Sequence, residues 1–166
     1  MSIQPIRLFG DPVLTSPAAP VTTFDKELRK LVKDLTETMQ DAPGAGLAAP
    51  QIGVPLRVFV WDVDEALGHL INPTLDLSDE LQEGEEGCLS FPLLALSITR
   101  AKEIDVEYQD FTGTTHTAHF NGISARCFLH ELDHMNGIMY TNRAKPVALQ
   151  QGFKKRNKIM KKNGLK

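Results

Sequence analysis

The chain has 166 residues, 42% of them hydrophobic, which is enough for one globular domain with a sizeable core. Its apolar runs are too short to cross a bilayer, its first residues lack the pattern of a secretory signal, and two cysteines are too few for a disulfide framework. We therefore expect a single domain over residues 1–166, located in the cytoplasm and not in a membrane.

The formal net charge of −3 is distributed unevenly along the chain. Residues 145–166 contain eight of the eighteen Lys and Arg residues and no Asp or Glu. A basic segment on an otherwise acidic protein predicts an anionic partner for that segment. The alternative is a solvated helix face that keeps the protein soluble.

The chain begins with an extended arm at 7–22 and continues with an amphipathic helix. Apolar residues recur at helical spacing from Phe24 to Met39, and charged residues occupy the opposite face. Proline and glycine at 43–44 end the helix, to which we assign only a packing role.

A run of small residues follows at 44–53. Such residues let a backbone approach a ligand closely. The run lacks the Lys-Ser/Thr ending of a phosphate-binding loop and the spacing of a dinucleotide fingerprint, so both are rejected. Gln51 carries the one side-chain amide in the run and is a candidate binding residue. A polar surface residue at the start of a strand is the alternative.

Short β-rich segments and turn signals fill much of the remaining chain. The predicted strands are 56–61, 69–72, 96–100, 103–109 and 114–120. The acidic stretch 74–86 predicts mostly a solvated loop, and Pro73 is expected to end the strand before it. His116 and His119 lie on opposite faces of the last strand, so they cannot bind one ion together.

The stretch His130–His134 reads His-Glu-Leu-Asp-His within a second predicted helix. Two histidines four residues apart lie on one helix face and can bind one metal ion. Glu131 can then exchange protons with a bound water. The alternative is a pair of core or solvated histidines on an amphipathic helix.

A hydrolytic metal site needs a third protein ligand and an open position. The sequence has no His, Asp or Glu after His134, so this ligand must precede the motif. Cys88 is the best candidate because Gly87 frees the backbone beside it and Glu86 lies close by. A single cysteine is more often a small core residue, which is the alternative.

These elements together predict an α+β fold. Tight turns join most of the strands, so the sheets should be antiparallel and packed around the metal-binding helix. The helix near the N-terminus and a basic C-terminal helix at 146–164 complete the fold.

Three motifs in this order and spacing resemble the signatures of the peptide deformylases: GAGLAAPQ, EGCLS and HELDH. Residues 6–14 also resemble the start of that family. The resemblance implies a hydrolase that removes the formyl group from N-formyl-methionyl peptides of nascent chains. It also implies one divalent ion, natively Fe²⁺, with Zn²⁺, Ni²⁺ or Co²⁺ able to occupy the site.

The resemblance further implies a role for each motif residue. Cys88, His130 and His134 would bind the metal, and Glu131 would transfer protons. Gln51 and the Leu89 N–H would stabilise the oxyanion. The residues that would contact the substrate are Gly46, Ala45, Glu86 and Cys127. Cys127 also lies one turn before His130, which places it near the metal independently of the resemblance.

Three positions depart from the common family pattern: Pro43, Leu93 and Leu129. They affect the surroundings of the site and the shape of the substrate groove. We also expect Arg100 to pair with Asp133, because a buried carboxylate between the two histidines needs a partner.

The functional alternatives are a zincin-like metallopeptidase and a metal-holding or ribosome-binding protein without turnover. We expect a monomer whose basic helix contacts the ribosome.

Overall fold

The computed structural model describes residues 3–165, and the ends of the predicted 1–166 domain lie outside that range. The helices are α1 (Lys26–Asp41), α2 (Gly122–Met135) and α3 (Pro146–Lys162). The strands are β1 (Gly46–Ala48), β2 (Val58–Val63), β3 (Ala66–Leu77), β4 (Leu81–Cys88), β5 (Phe91–Ala101), β6 (Glu103–Gln109) and β7 (Thr115–Asn121). The predicted α+β class is confirmed. No helix within residues 3–165 is long and apolar enough to cross a membrane.

The strands form two sheets within the described residues, and each pair of neighbouring strands is antiparallel, as predicted. Outside these strands, Ala19 and Leu56 form an isolated parallel bridge. The larger sheet has the order β1-β2-β3-β6-β7, and the smaller is the hairpin β4-β5. The turn between β6 and β7 is fixed by Asp110, whose Oδ1 accepts hydrogen bonds from the backbone of Thr112 and Thr114. Gly113 adopts φ +80° there, which suits glycine.

Helix α1 covers one end of the large sheet. Asp25 caps it by accepting hydrogen bonds from the backbone N–H groups of Glu27 and Leu28. Its buried stripe packs against Val58, Val60 and Ile71. The stripe consists of Leu28, Val32, Leu35 and Met39. The packing role predicted for this helix is confirmed.

Helix α2 lies at the centre of the molecule and contacts strands of both sheets. Its Phe128 is buried against Phe59, with the rings 5.4 Å apart, and against Phe120 at 4.2 Å. After the helix ends, Gly137 adopts φ +74°, and an added Cβ would approach the backbone of Ser16 to 2.9 Å. Packing on several sides therefore fixes the position of the His-Glu-Leu-Asp-His motif.

The prediction of a loop at 74–86 was wrong. Strand β3 continues past Pro73 to Leu77, and β4 begins at Leu81 after a tight turn. Pro73 is tolerated because the pairing of β3 with β6 is irregular between Ile71 and Thr74.

Helix α3 packs on β5 through Leu149, Gly152 and Phe153. A Cβ at Gly152 would approach Leu96 Cδ2 to 2.4 Å, so the contact is too close for a larger residue. The apolar spacing of this helix also predicts packing by Val147, but Val147 is 64% exposed, so that prediction was wrong.

Candidate metal centre and active site

A cavity of about 500 Å³ opens where β1, the end of β4 and helix α2 meet. The predicted site residues that line it are Ala45, Gly46, Gln51, Glu86, Cys88, Leu89, Cys127, His130 and Glu131. His134 lies one turn beyond His130 and is buried behind the cavity wall. The structure thus brings together three motifs that are far apart in the sequence.

The three predicted metal ligands converge on one point. Donor atoms of Cys88, His130 and His134 all lie within 4.8 Å of one another, and Cys88 Sγ is 3.3 Å from His134 Nε2. Two ligands of a tetrahedral ion with bonds of about 2.1–2.3 Å lie roughly 3.4–3.7 Å apart. The spacing of one thiol and two imidazoles therefore fits a single divalent ion.

The orientation of His130 is set by Glu86. His130 Nδ1 lies 2.9 Å from Glu86 Oε1. Burial acts to raise the pKa of Glu86, but hydrogen bonds from Arg100 and His130 outweigh it and lower the pKa to about 2. The ionised carboxylate accepts from Nδ1–H, which leaves the Nε2 lone pair for a metal ion.

The expected ion pair between Arg100 and Asp133 is confirmed. Arg100 Nη1 lies 2.6 Å from Asp133 Oδ2, and both side chains are buried. Arg100 also donates to both oxygens of Glu86, at 2.9 and 2.8 Å. Sequence reasoning missed two further members of this network: Arg126 donates to Glu86 and Arg143 donates to Asp133. Arginines thus hold two buried carboxylates, one of which contacts the predicted metal ligand His130.

Glu131 lies beside the ligands in a tight space. Its Oε2 is buried and has no hydrogen-bond partner among residues 3–165, and burial raises the pKa of the side chain to about 7. Gly46 on β1 approaches it so closely that an added Cβ would be 2.7 Å from Glu131 Oε1 and 2.9 Å from Cys127 Sγ. The unpaired carboxylate oxygen leaves Glu131 able to accept a proton.

Gln51 directs its side-chain amide N–H towards the predicted metal ligand Cys88. Its Oε1 accepts from the backbone N–H of Ala48 at 2.9 Å, which fixes the amide orientation. Its Nε2 donates to Ser90 Oγ at 3.1 Å and faces Cys88 Sγ at 3.8 Å. Ser90 is fully buried and was not predicted as a site residue. Leu89 lies between Cys88 and Ser90 and lines the cavity.

Cys127 forms part of the wall. Its Sγ is 3.5 Å from the carbonyl oxygen of Ala45, and burial raises the pKa of the thiol well above its usual value. Among residues 3–165, the ligand atoms that converge on one point belong to Cys88, His130 and His134, and Cys127 is not in that group. Cys127 therefore suits a pocket wall.

A cysteine and two histidines around one point, beside a buried glutamate and an open cavity, define a metal-dependent hydrolase. The family model for polypeptide deformylase matches residues 3–150. The chain belongs to the peptide deformylase family.

Individual relatives agree with this assignment in sequence and in fold. The peptide deformylase of Acidothermus cellulolyticus is 58% identical over 146 residues, which is 88% of this chain and 81% of that protein. The crystal structure of the Thermotoga maritima enzyme is 44% identical with a TM-score of 0.85, and it covers 87% of this chain and 99% of its own. The Legionella pneumophila structure is 36% identical with a TM-score of 0.87, and 99% of each chain is covered.

Proposed function

We propose that formyl-methionyl peptides are hydrolysed in the cavity, with Cys88, His130 and His134 holding one divalent ion. The chain is a hydrolase that removes the N-terminal formyl group from nascent polypeptides. The observation that supports the site is the convergence of the three donor atoms beside the buried Glu131 carboxylate.

Each of the other site residues has a chemical role in this proposal. A divalent ion bound there supplies positive charge that lowers the pKa of a water molecule. Glu131 takes a proton from the attacking water and gives one to the leaving amine, and its burial favours the protonated form through which the proton passes. Gln51 Nε2 and the Leu89 N–H donate to the oxyanion that develops on the formyl group.

The proposed substrate contacts are those that the family resemblance implies, and the residues concerned line the cavity. The Gly46 backbone pairs with the peptide, and the methionine side chain occupies a pocket bordered by Ala45, Glu86 and Cys127. The Glu86 carboxylate is paired with Arg100 and Arg126, and the Cys127 thiol is neutral, so neither side chain presents an unpaired charge to this pocket. An apolar side chain therefore suits it.

The thiolate and imidazole ligands alone do not select one metal, because they also bind Zn²⁺, Ni²⁺ and Co²⁺. We therefore infer ferrous iron as the native ion from the family resemblance. Protein purified without oxygen is expected to contain one iron per chain and to release formate from formyl-Met-Ala-Ser. Air should inactivate the iron form by oxidation and spare a nickel form. An iron-loaded protein that releases no formate would contradict the proposed function.

The alternative of a zincin-like metallopeptidase is disfavoured by the ligand set. Such an enzyme takes its third ligand from a downstream His or Glu, whereas here Cys88, upstream of the motif, lies beside His134. A protein without turnover would not need Glu131 or Gln51 in the cavity. Cleavage of an unformylated peptide bond in the same preparation would revive the peptidase alternative.

We also propose that the chain is a monomeric single domain whose α3 binds ribosomal RNA through its exposed lysines. They are Lys154, Lys155, Lys158, Lys161 and Lys162. Arg156 is committed elsewhere, since its guanidinium lies 5.0 Å from the Phe91 ring and donates to the Pro92 carbonyl. Clustered lysines bind RNA phosphates in a strongly salt-dependent manner.

A further inference from the structure

Leu93 has an unfavourable backbone conformation at the edge of the cavity. Its φ is +67°, in the left-handed region that favours glycine. The other non-glycine residues with positive φ within residues 3–165 are Asp64, Glu65 and Asn72, all polar. A leucine there costs stability that a glycine would not, because its Cβ crowds the backbone.

The conformation determines where the Leu93 side chain lies. Phe91 and Leu94 are buried in the core between β5 and α3, whereas Pro92 and Leu93 are exposed in succession and line the cavity. The left-handed residue thus interrupts the alternation of β5 and places a leucine, 44% exposed, at the rim of the site. Strain and solvent exposure of an apolar side chain both oppose folding, so this combination indicates a functional role.

A second apolar side chain lies at the same rim. Ile123, at the start of α2, is 66% exposed and also lines the cavity. The inner part of the cavity is bordered by Ala45 and Cys127 beside the metal ligands, where the methionine is placed. The apolar surface at the rim becomes buried only when the residue that follows the methionine of a bound peptide covers it.

We propose that Leu93 determines specificity by packing against the side chain that follows formyl-methionine, which favours an apolar residue at that position. This inference rests on the proposed function, because it assumes that formyl-methionine occupies the inner cavity. It concerns substrate choice and assigns Leu93 no part in the chemical step.

The test compares Leu93→Gly and Leu93→Asn with the unaltered holoenzyme. Both replacements tolerate the left-handed conformation and remove the apolar side chain. We expect kcat/KM for formyl-Met-Leu-Ser, relative to formyl-Met-Gly-Ser, to fall about three- to tenfold, which corresponds to burying the exposed part of one leucine. The Tm should stay the same or rise by up to about 3 °C, because strain is relieved.

A matched control is Leu81→Ala, since Leu81 is 62% exposed on β4 and lies outside the cavity lining. This variant should leave the ratio of the two substrates unchanged. The same preference is measured without turnover by calorimetric titration of the product peptides Met-Leu-Ser and Met-Gly-Ser.

Two results would overturn the inference. One is an unchanged substrate ratio in both Leu93 variants; the other is a loss of several degrees in Tm with equal binding of the two product peptides, which would make Leu93 a packing residue. If the unaltered protein released no formate from either peptide, the proposed function would fail, and the titration would still decide the role of Leu93.

Discussion

Gly46→Ala perturbs the active site through a single methyl group. The added Cβ would lie 2.7 Å from Glu131 Oε1 and 3.0 Å from Glu131 Cγ, whereas ordinary contacts begin at 3.4 Å. Relief of this overlap moves the Glu131 carboxylate by about 0.7 Å. Since a displacement of about 1 Å at a catalytic group can cost roughly 100-fold in rate, we expect kcat to fall about 10- to 100-fold.

The assay is formate release from formyl-Met-Ala-Ser, with metal content measured on the same samples. Gly87→Ala is the matched control, because Gly87 also lines the cavity and a Cβ there meets no atom within 4 Å. Both variants should retain one metal ion per chain. If Gly46→Ala turned over at the normal rate, the close approach of β1 to Glu131 would have no functional consequence and the reasoning would be refuted.

Three further predictions concern the ligand, the buried ion pairs and the basic helix. Cys88→Asp should still bind metal, because a carboxylate can replace the thiolate, and mass spectrometry should find no formyl adduct on Cys88 in the unaltered enzyme during turnover. Arg100→Met leaves two buried carboxylates without their shared partner, so it should lower the free energy of unfolding by about 3–5 kcal/mol in denaturant titrations. The control Lys102→Met removes an exposed ion pair and should cost less than about 1 kcal/mol. Charge reversal on α3 should weaken ribosome binding at low salt and leave formate release unchanged, and equal binding would show that the helix is only solvated. The residues to reverse are Lys154, Lys155 and Lys158.

Charge reversal is a better test of α3 than truncation. Gly152 and Phe153 pack against β5, and Arg156 covers Phe91. Truncation of the chain before Gly152 would expose this part of the core. Weaker ribosome binding could then result from unfolding and not from the loss of the lysines. Reversal of the charges at the exposed lysines leaves the packed face of α3 unchanged.

Local patterns predicted the elements whose two faces differ clearly in polarity. The stripe of α1 and the Asp110–Gly113 turn are read directly from periodicity and turn chemistry. Strand β4 was missed because its inward-facing positions include Gln82, Gly84 and Glu86, which do not resemble a core. Their partners come from elsewhere in the fold: Arg126 fills the space above Gly84 and binds Glu86.

The site was predictable to the extent that its residues belong to local motifs. The i, i+4 spacing of His130 and His134 indicated a metal site, and the resemblance supplied a role for Gln51. The contact of Glu86 with His130 joins residues 44 positions apart, and that of Gln51 with Ser90 joins residues 39 apart. Such pairings depend on how the sheets pack around α2, which no local pattern contains.

The most direct test of proton transfer by Glu131, at a metal site formed by other residues, is Glu131→Gln, with metal content and formate release measured on the same protein. We predict one metal ion per chain and a rate from formyl-Met-Ala-Ser reduced by about 100- to 10,000-fold, because the amide keeps the shape of the carboxylate and cannot accept the proton. Near-normal formate release from the metal-loaded variant would contradict the account.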